Sequence, residues 1–377
     1  MDLVPACANH MNPPLSYINP ANVESVSVFA GITPVSLGGD SIGGTIIVNS
    51  RAPRFAKKGE GLLTSGELGG FYRSNGNAFG SNLSATLANE SLSIGYNGSF
   101  SQSDNYTAAR DFKPGTQATG TIDGPHWING DEVGSSSYRS ENHALDLALR
   151  HDNHLLDLKL GYQHIPYQGF PNQRMDMTLN ESFQVNLGYT GNYRWGSLET
   201  RVYNEHTRHK MDFADDKQFY YGSAATILAP GMPMNTKGNN TGVSVKGDIV
   251  LSERDILRVG GEYQRYRLDD WWPPSPSILP AGYTMGGMAP NTFKNINDGQ
   301  RDRVGIFAEW EARWNPEWLT LVGVRGEQVD MDTGSVQGYN TGPMYNGAPL
   351  FPVTTFNSRG HHRTDYNADL TLLARYT

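Results

Sequence analysis

The chain has 377 residues, a net charge of −8 and a mean hydropathy of −0.51. This length allows one large domain or two smaller ones. No run of about 18 apolar residues marks a transmembrane helix, and the mild acidity without a basic stripe argues against a nucleic-acid partner. The 43 glycines and 11% aromatic residues are typical of a membrane barrel whose strands face water on one side and lipid on the other.

The beginning of the chain differs in pattern from the rest. Residues 23–29 and 44–49 read as two short strands around a glycine-rich turn, and residues 55–61 have the basic and glycine-containing composition of a linker. Residues 1–20 lack the charged start and apolar centre of a signal peptide. The sequence also stops within a predicted strand at residue 377, so we expect a piece of a longer protein, incomplete at both ends.

From residue 62 onward, segments of about ten residues alternate apolar and polar side chains. Alternation is also found in soluble β-sandwiches, so the connections between the segments are needed to distinguish a sandwich from a membrane barrel. Tight turns are predicted near residues 89–90, 152–153, 195–196, 253–254 and 315–316, and long polar loops near residues 104–139, 165–180, 212–238, 269–299 and 333–361. Short turns on one side and long loops on the other are typical of an outer-membrane barrel. We therefore predict an all-β, transmembrane antiparallel β-barrel with about twelve strands.

Two side-chain patterns favour the membrane barrel over the sandwich. Charged residues occur within predicted strands, as expected for a wet lumen, at Asp146, Asp157, Lys159, Lys246 and Asp248. Aromatic residues gather near predicted strand ends, as in the girdles of membrane barrels, at Tyr162, Tyr193, Trp195, Tyr266, Trp271, Trp272, Trp314 and Trp318.

Residues 23–50 resemble the last conserved stretch of the plug domain in TonB-dependent outer-membrane receptors. The matching residues are Val23, Glu24, Val26, Val28, Gly31, Gly39, Ile42, Gly43, Gly44, Ile46 and Val48. The resemblance implies a barrel of 22 strands, of which this chain would hold about twelve. Residues 1–54 would then be the C-terminal part of the plug, residues 55–61 a linker, and residues 62–377 the N-terminal portion of the barrel.

Family membership would also imply a monomer in the bacterial outer membrane, surrounded by lipid. Uptake would be driven by the inner-membrane TonB–ExbB–ExbD complex through a contact box upstream of this sequence.

Two short motifs carry soft metal ligands. Cys7 and Met11 have the four-residue spacing that places both sulfurs on one side of a helical turn. His209 and Met211 are spaced by two at the end of a predicted strand, so both lie on one face. One thiolate, two thioethers and an imidazole form a set that favours Cu(I) over iron, magnesium or calcium.

The same pair of motifs resembles the copper-binding outer-membrane receptors of the OprC/NosA type. That resemblance implies that Cys7, Met11, His209 and Met211 bind copper between the plug and the barrel wall. Several alternatives remain open from the sequence. The thiol could be buried and inert, Met11 could simply pack the plug, and His10 and His206 are rival ligands to Met11 and His209.

Other methionines fall in predicted external loops and could guide Cu(I) inward as weak thioether sites. They are Met175, Met177, Met232, Met234, Met285 and Met288. Ordinary loop packing is the alternative for each of them.

The sequence therefore predicts a copper importer and not an enzyme. The first alternative is a receptor of the same fold for a siderophore, cobalamin or another metal chelate, which would make Cys7 incidental. A lipid-hydrolysing barrel is a second alternative, but no serine and histidine occupy matched strand positions. A passive adhesin-like barrel is a third, and the plug-like segment argues against it.

Overall fold

The computed structural model describes residues 14–39, 43–121, 124–217, 219–221, 227–229, 231–275, 288, 290–339, 344–345, 348–349 and 351–376. Nearly all regular structure in these residues is β. The strands, in chain order, are β1 Val23–Ala30, β2 Gly44–Ser50, β3 Leu63–Arg73, β4 Ala78–Ala88, β5 Leu92–Ser103, β6 Thr116–Thr121, β7 Gly124–Ile128, β8 Tyr138–His151, β9 His154–Gln168, β10 Asp176–Tyr193, β11 Gly196–Asp212, β12 Phe219–Tyr221, β13 Ile227–Ala229, β14 Met234–Val250, β15 Asp255–Trp272, β16 Phe293–Arg313, β17 Trp318–Asp332, β18 Met344–Tyr345, β19 Ala348–Pro349 and β20 Arg363–Tyr376.

Helical structure is limited to short pieces. Single 3₁₀ turns lie at Pro14–Tyr17, Pro20–Asn22, Val35–Leu37, Asn75–Asn77 and Asp215–Lys217, and one α-helix, α1, spans Phe351–Asn357. No helix in the described residues is long and apolar enough to cross a membrane.

One antiparallel sheet of twelve strands dominates the fold, which confirms the predicted strand number. Its order is β20-β17-β16-β15-β14-β11-β10-β9-β8-β5-β4-β3. Each strand of this sheet pairs with the next strand of the same sheet along the chain, so the connections fall alternately at the two ends of the sheet. The small sheets β6-β7, β12-β13 and β18-β19 belong to the connections at one end, and the tight turns lie at the other.

The tight turns lie where the sequence predicts them. Gly196 adopts a φ of 139°, in the left-handed region that favours glycine, at the turn between β10 and β11. One long connection is less than half as long as predicted. β9 extends to Gln168 and β10 begins at Asp176, so the predicted loop 165–180 shrinks to seven residues.

One face of the large sheet carries a continuous apolar row. The register aligns one apolar residue from each of nine neighbouring strands, namely Leu87, Ile94, Leu147, Leu158, Leu187, Val202, Val243, Tyr263 and Val304. Most of these side chains are exposed. Such an aligned, exposed apolar surface is expected where a sheet contacts lipid or another apolar partner.

The opposite face of the sheet binds the N-terminal segment, which we define as residues 14–50. This segment contains the separate two-stranded sheet β1-β2. It hydrogen-bonds to five strands of the large sheet. The pairs are Asn19–Ser99 and Ala21–Asn97 with β5, Ser16–Gln163 and Ser50–Lys159 with β9, Ser36–Glu309 with β16, Val35–Arg325 with β17, and Thr33–Thr371 with β20. Because these strands are spread across the whole sheet, the sheet curves around the segment.

Candidate metal-binding site

An inward-facing row on β11 carries the predicted wall ligands. Tyr203, Glu205, Thr207, His209 and Met211 are all buried, as their shared parity on the strand predicts. His206 has the opposite parity and is only half-buried. The structure therefore separates the two rival histidines, because only His209 lies on the inner face with Met211.

Three methionines meet in register on this inner face. Met177 of β10 pairs with Met211 of β11, which pairs with Met234 of β14. Their exposures are 0%, 1% and 0%. Directly opposite residues on neighbouring strands have Cβ atoms about 4.5–5.5 Å apart, so three thioethers are held side by side. Their cluster also includes Ile165, Met175 and Phe213, with Phe170, Met232 and Trp272 packed against it.

His209 lies on the same inner face of β11, two residues before Met211, and is fully buried. Its Nδ1 atom is 3.2 Å from the Asn180 Oδ1 atom. Its Nε2 atom has no hydrogen-bond partner among the described residues. A buried polar atom without a partner is costly, and an imidazole nitrogen with a free lone pair is a common ligand for soft and borderline metals.

Buried amides connect His209 to the N-terminal segment. Asn180 Nδ2 donates to Gln163 Oε1 at 3.0 Å. Gln163 Nε2 in turn donates to the backbone carbonyl of Ser16 at 3.1 Å and to Asn142 Oδ1 at 3.0 Å. Asn180 and Gln163 are 0% and 6% exposed, so this connection runs through the interior of the protein.

The loops at the long-loop end cover the methionine cluster. Lys217 Nζ lies 2.6 Å from Asp176 Oδ1. It also donates to the carbonyl oxygen of Phe170 at 2.8 Å, and Ser135 Oγ donates to Asp176 Oδ2 at 2.9 Å. Three different connections between strands are therefore joined directly above the cluster.

The predicted site residues are only partly brought together. His209 and Met211 lie on one inner face, whereas Cys7 and Met11 lie outside the described residues, as do His10 and Met285. Met177 and Met234 were predicted in loops, but they lie within β10 and β14. The strands are longer than their alternation indicates because apolar methionines occupy the inner face at their long-loop ends, so polar and apolar side chains no longer mark the two faces there.

Two more of the methionines predicted to guide the metal are less buried than Met177 and Met234. Met232 is partly buried against the cluster, and Met288 forms an isolated bridge with Ser275. Sequence reasoning missed Asn180, Gln163 and Trp272 as neighbours of the site. The alternation of side chains in the sequence indicates that these residues face inward. It does not indicate the strand register that brings them close to the site.

The comparisons with known proteins reveal likeness in structure only. Neither a protein-family model nor a curated protein sequence matches the chain. A solved structure of the copper transporter OprC matches with a TM-score of 0.70 at 17% identity, covering 98% of this chain and 50% of that one. The FrpB iron transporter from Neisseria meningitidis, F3-3 variant, matches with a TM-score of 0.60 at 14% identity, over 95% and 50%.

The ferric citrate transporter FecA in its unliganded form also matches, with a TM-score of 0.59 at 12% identity, over 96% of this chain and 48% of that one. The chain thus spans about half the length of each of these solved structures. Over that half, it shares their antiparallel β-barrel fold.

Proposed function

We propose that this chain is part of a TonB-dependent outer-membrane importer of copper that binds Cu(I) through Cys7, Met11, His209 and Met211. The observation that carries the proposal is the buried, unpartnered Nε2 atom of His209 beside a row of buried thioethers. Imidazole and thioether donors together favour Cu(I) over hard cations. Copper is here the transported substrate, and the role is binding and transport without catalysis.

The position of the N-terminal segment supports the participation of Cys7 and Met11. Ser16 of this segment hydrogen-bonds to Gln163, two amide groups away from His209. Met11 precedes Ser16 by five residues, which span at most about 17 Å when extended. The plug-borne ligands are therefore within reach of the wall-borne ligands.

The methionine cluster supports a path for the metal toward this site. Met177 and Met234 are in register with Met211, and Met175 and Met232 lie farther toward the long-loop end. Thioethers are weak, exchangeable ligands for Cu(I). We propose that Met175, Met177, Met232 and Met234 pass the ion to the tighter site, with Met285 and Met288 as outer members of the path.

The membrane location is supported by the exposed apolar row on the outer face of the sheet. Charged and amide side chains line the inner face, as in a wet lumen. We propose that the protein lies in the bacterial outer membrane as a monomer of 22 strands and that its transport depends on the TonB–ExbB–ExbD complex. Residues 1–54 would be plug, residues 55–61 linker and residues 62–377 barrel.

A receptor for an iron chelate is the second candidate, because FrpB is an iron transporter and FecA is a ferric citrate transporter. Metal analysis of the purified full-length protein separates the two candidates. The copper proposal predicts one equivalent of copper, measured by mass spectrometry of the metal, and its loss in both His209→Ala and Cys7→Ala.

His206→Ala is the matched control, because its side chain lies on the opposite face of the same strand, and it should retain the copper. A wild-type protein that binds an iron chelate and no copper would replace the copper proposal with the alternative.

A further inference from the structure

The row of buried amides between His209 and the N-terminal segment has a definite direction of hydrogen bonding. Its last acceptor is the backbone carbonyl of Ser16, which cannot donate. Gln163 must therefore present its NH₂ group to that carbonyl, and its Oε1 atom then points to Asn180. Asn180 must in turn donate with Nδ2 and present Oδ1 to His209.

The orientation of Asn180 determines which nitrogen of His209 carries the proton. An amide oxygen only accepts, so His209 Nδ1 must donate to Asn180 Oδ1. In a neutral imidazole, the other nitrogen then holds the free lone pair. That nitrogen is Nε2, the buried atom of His209 that has no hydrogen-bond partner among the described residues.

We propose that Asn180 and Gln163 are positioning residues through which the Ser16 carbonyl sets the metal-binding tautomer of His209. With the N-terminal segment seated, Nε2 presents a lone pair. When that segment moves away, the side-chain amides of Gln163 and Asn180 can both turn over, so that the oxygen and the NH₂ group of each exchange places. Asn180 can then donate to Nδ1 of His209. The proton moves to Nε2, which no longer binds a metal. This inference rests on the proposed copper site and adds a coupling between plug position and metal affinity.

The test is the Cu(I) affinity of the full-length protein in detergent, measured by competition with a colorimetric Cu(I) chelator. Loss of a group that orients a metal-bound histidine typically costs 10–100-fold in affinity. We expect a loss of that size in Asn180→Leu and a smaller loss in Gln163→Leu. Asn186→Leu is the matched control. Asn186 lies on the same strand and accepts from Arg201 at 2.9 Å, and its loss should leave the affinity unchanged.

A rescue experiment distinguishes positioning from general damage. A carboxylate can only accept, so Asp at position 180 fixes the same tautomer without help from Gln163. We expect Asn180→Asp to restore the affinity lost in Gln163→Leu when the two changes are combined.

Unchanged affinity in both Asn180→Leu and Gln163→Leu would overturn the inference and leave the copper site intact. A loss in Gln163→Leu that the added Asn180→Asp does not restore would overturn it too. A wild-type protein without His209-dependent copper would overturn the proposed function and this inference together.

Discussion

Lys217 and Asp176 form an ion pair of 2.6 Å that is 12% and 2% exposed at its two side chains. The pair joins the first residue of β10 to the 3₁₀ turn after β11, next to the methionine cluster. Asp176 would be a buried, uncompensated charge without this lysine. If the proposed function is correct, the pair closes the side of the cluster from which a metal ion would arrive.

Replacing Lys217 with alanine should loosen the loops that cover the methionine cluster. Removing one partner of a buried pair typically costs about 3–5 kcal/mol, and we expect most of it to appear as local opening of residues 169–175. Hydrogen–deuterium exchange in this loop should accelerate by about two orders of magnitude. Lys57→Ala is the control, since its pair with Glu60 is exposed at 3.6 Å and is worth at most about 1 kcal/mol. Equal exchange in both variants would contradict a closing role for Lys217.

Replacing Met177 or Met234 with leucine should separate packing from metal transfer. Leucine has nearly the same volume, so the change should cost less than about 1.5 kcal/mol of stability. The lost thioether should slow Cu(I) accumulation severalfold in cells that carry the full-length protein, with metal content as the readout. Met331→Leu lies outside the cluster, on β17, and should leave accumulation unchanged. Normal accumulation in both cluster variants would show that these methionines only pack.

Arginine at Val243 should impair membrane insertion of the full-length protein. Val243 lies within the exposed apolar row, and arginine on the lipid face near the membrane centre costs about 2–4 kcal/mol. Asn239→Arg is the control on the same strand and face, four residues farther toward the long-loop end, where the cost falls to about 0–1 kcal/mol near the interface. The measurement is the stability of folding into lipid vesicles in urea. Equal costs at the two positions would contradict the proposed membrane depth.

Tyr339, in the connection after β17, should ionise unusually late. Burial, and then the negative charge of Asp270, raise its pKa to about 12. Because the folded protein holds this proton more tightly than the unfolded chain, stability should fall as the pH rises from about 10 to 12. Tyr339→Phe should lose less stability over that range, as measured by chemical unfolding. Its hydroxyl has no hydrogen-bond partner among the described groups, so the substitution should be tolerated at neutral pH. An identical pH profile for both proteins would contradict the raised pKa.

Local patterns made much of the fold predictable. Alternating side chains and the two kinds of connection gave the strand number and the positions of the tight turns, since the period of a strand and its turn chemistry are local properties. The spacing of His209 and Met211 likewise correctly predicted that both side chains lie on one face of the strand.

The site itself depends on register, which is not a local property. Met177, Met211 and Met234 become neighbours only because β10, β11 and β14 pair with one particular offset. A slip of one residue would turn Met177 to the other face of the sheet. The amide contact between Asn180 and His209 depends on the same offset. The joint site of Cys7 and Met11 with His209 therefore stays a prediction.

The N-terminal segment is fastened to the wall mainly by hydrogen bonds at separate points along the sheet, including two from Ser36 to Glu309 at 3.2 and 2.8 Å. Water can replace each such bond at a net cost of only about 0.5–1.5 kcal/mol, or about 1.5–3 kcal/mol where a charged group takes part. A pull applied at one end of the segment would break these hydrogen bonds one after another, and water would fill the space behind it. The segment can thus be released by a weak, sustained force without the wall itself having to unfold.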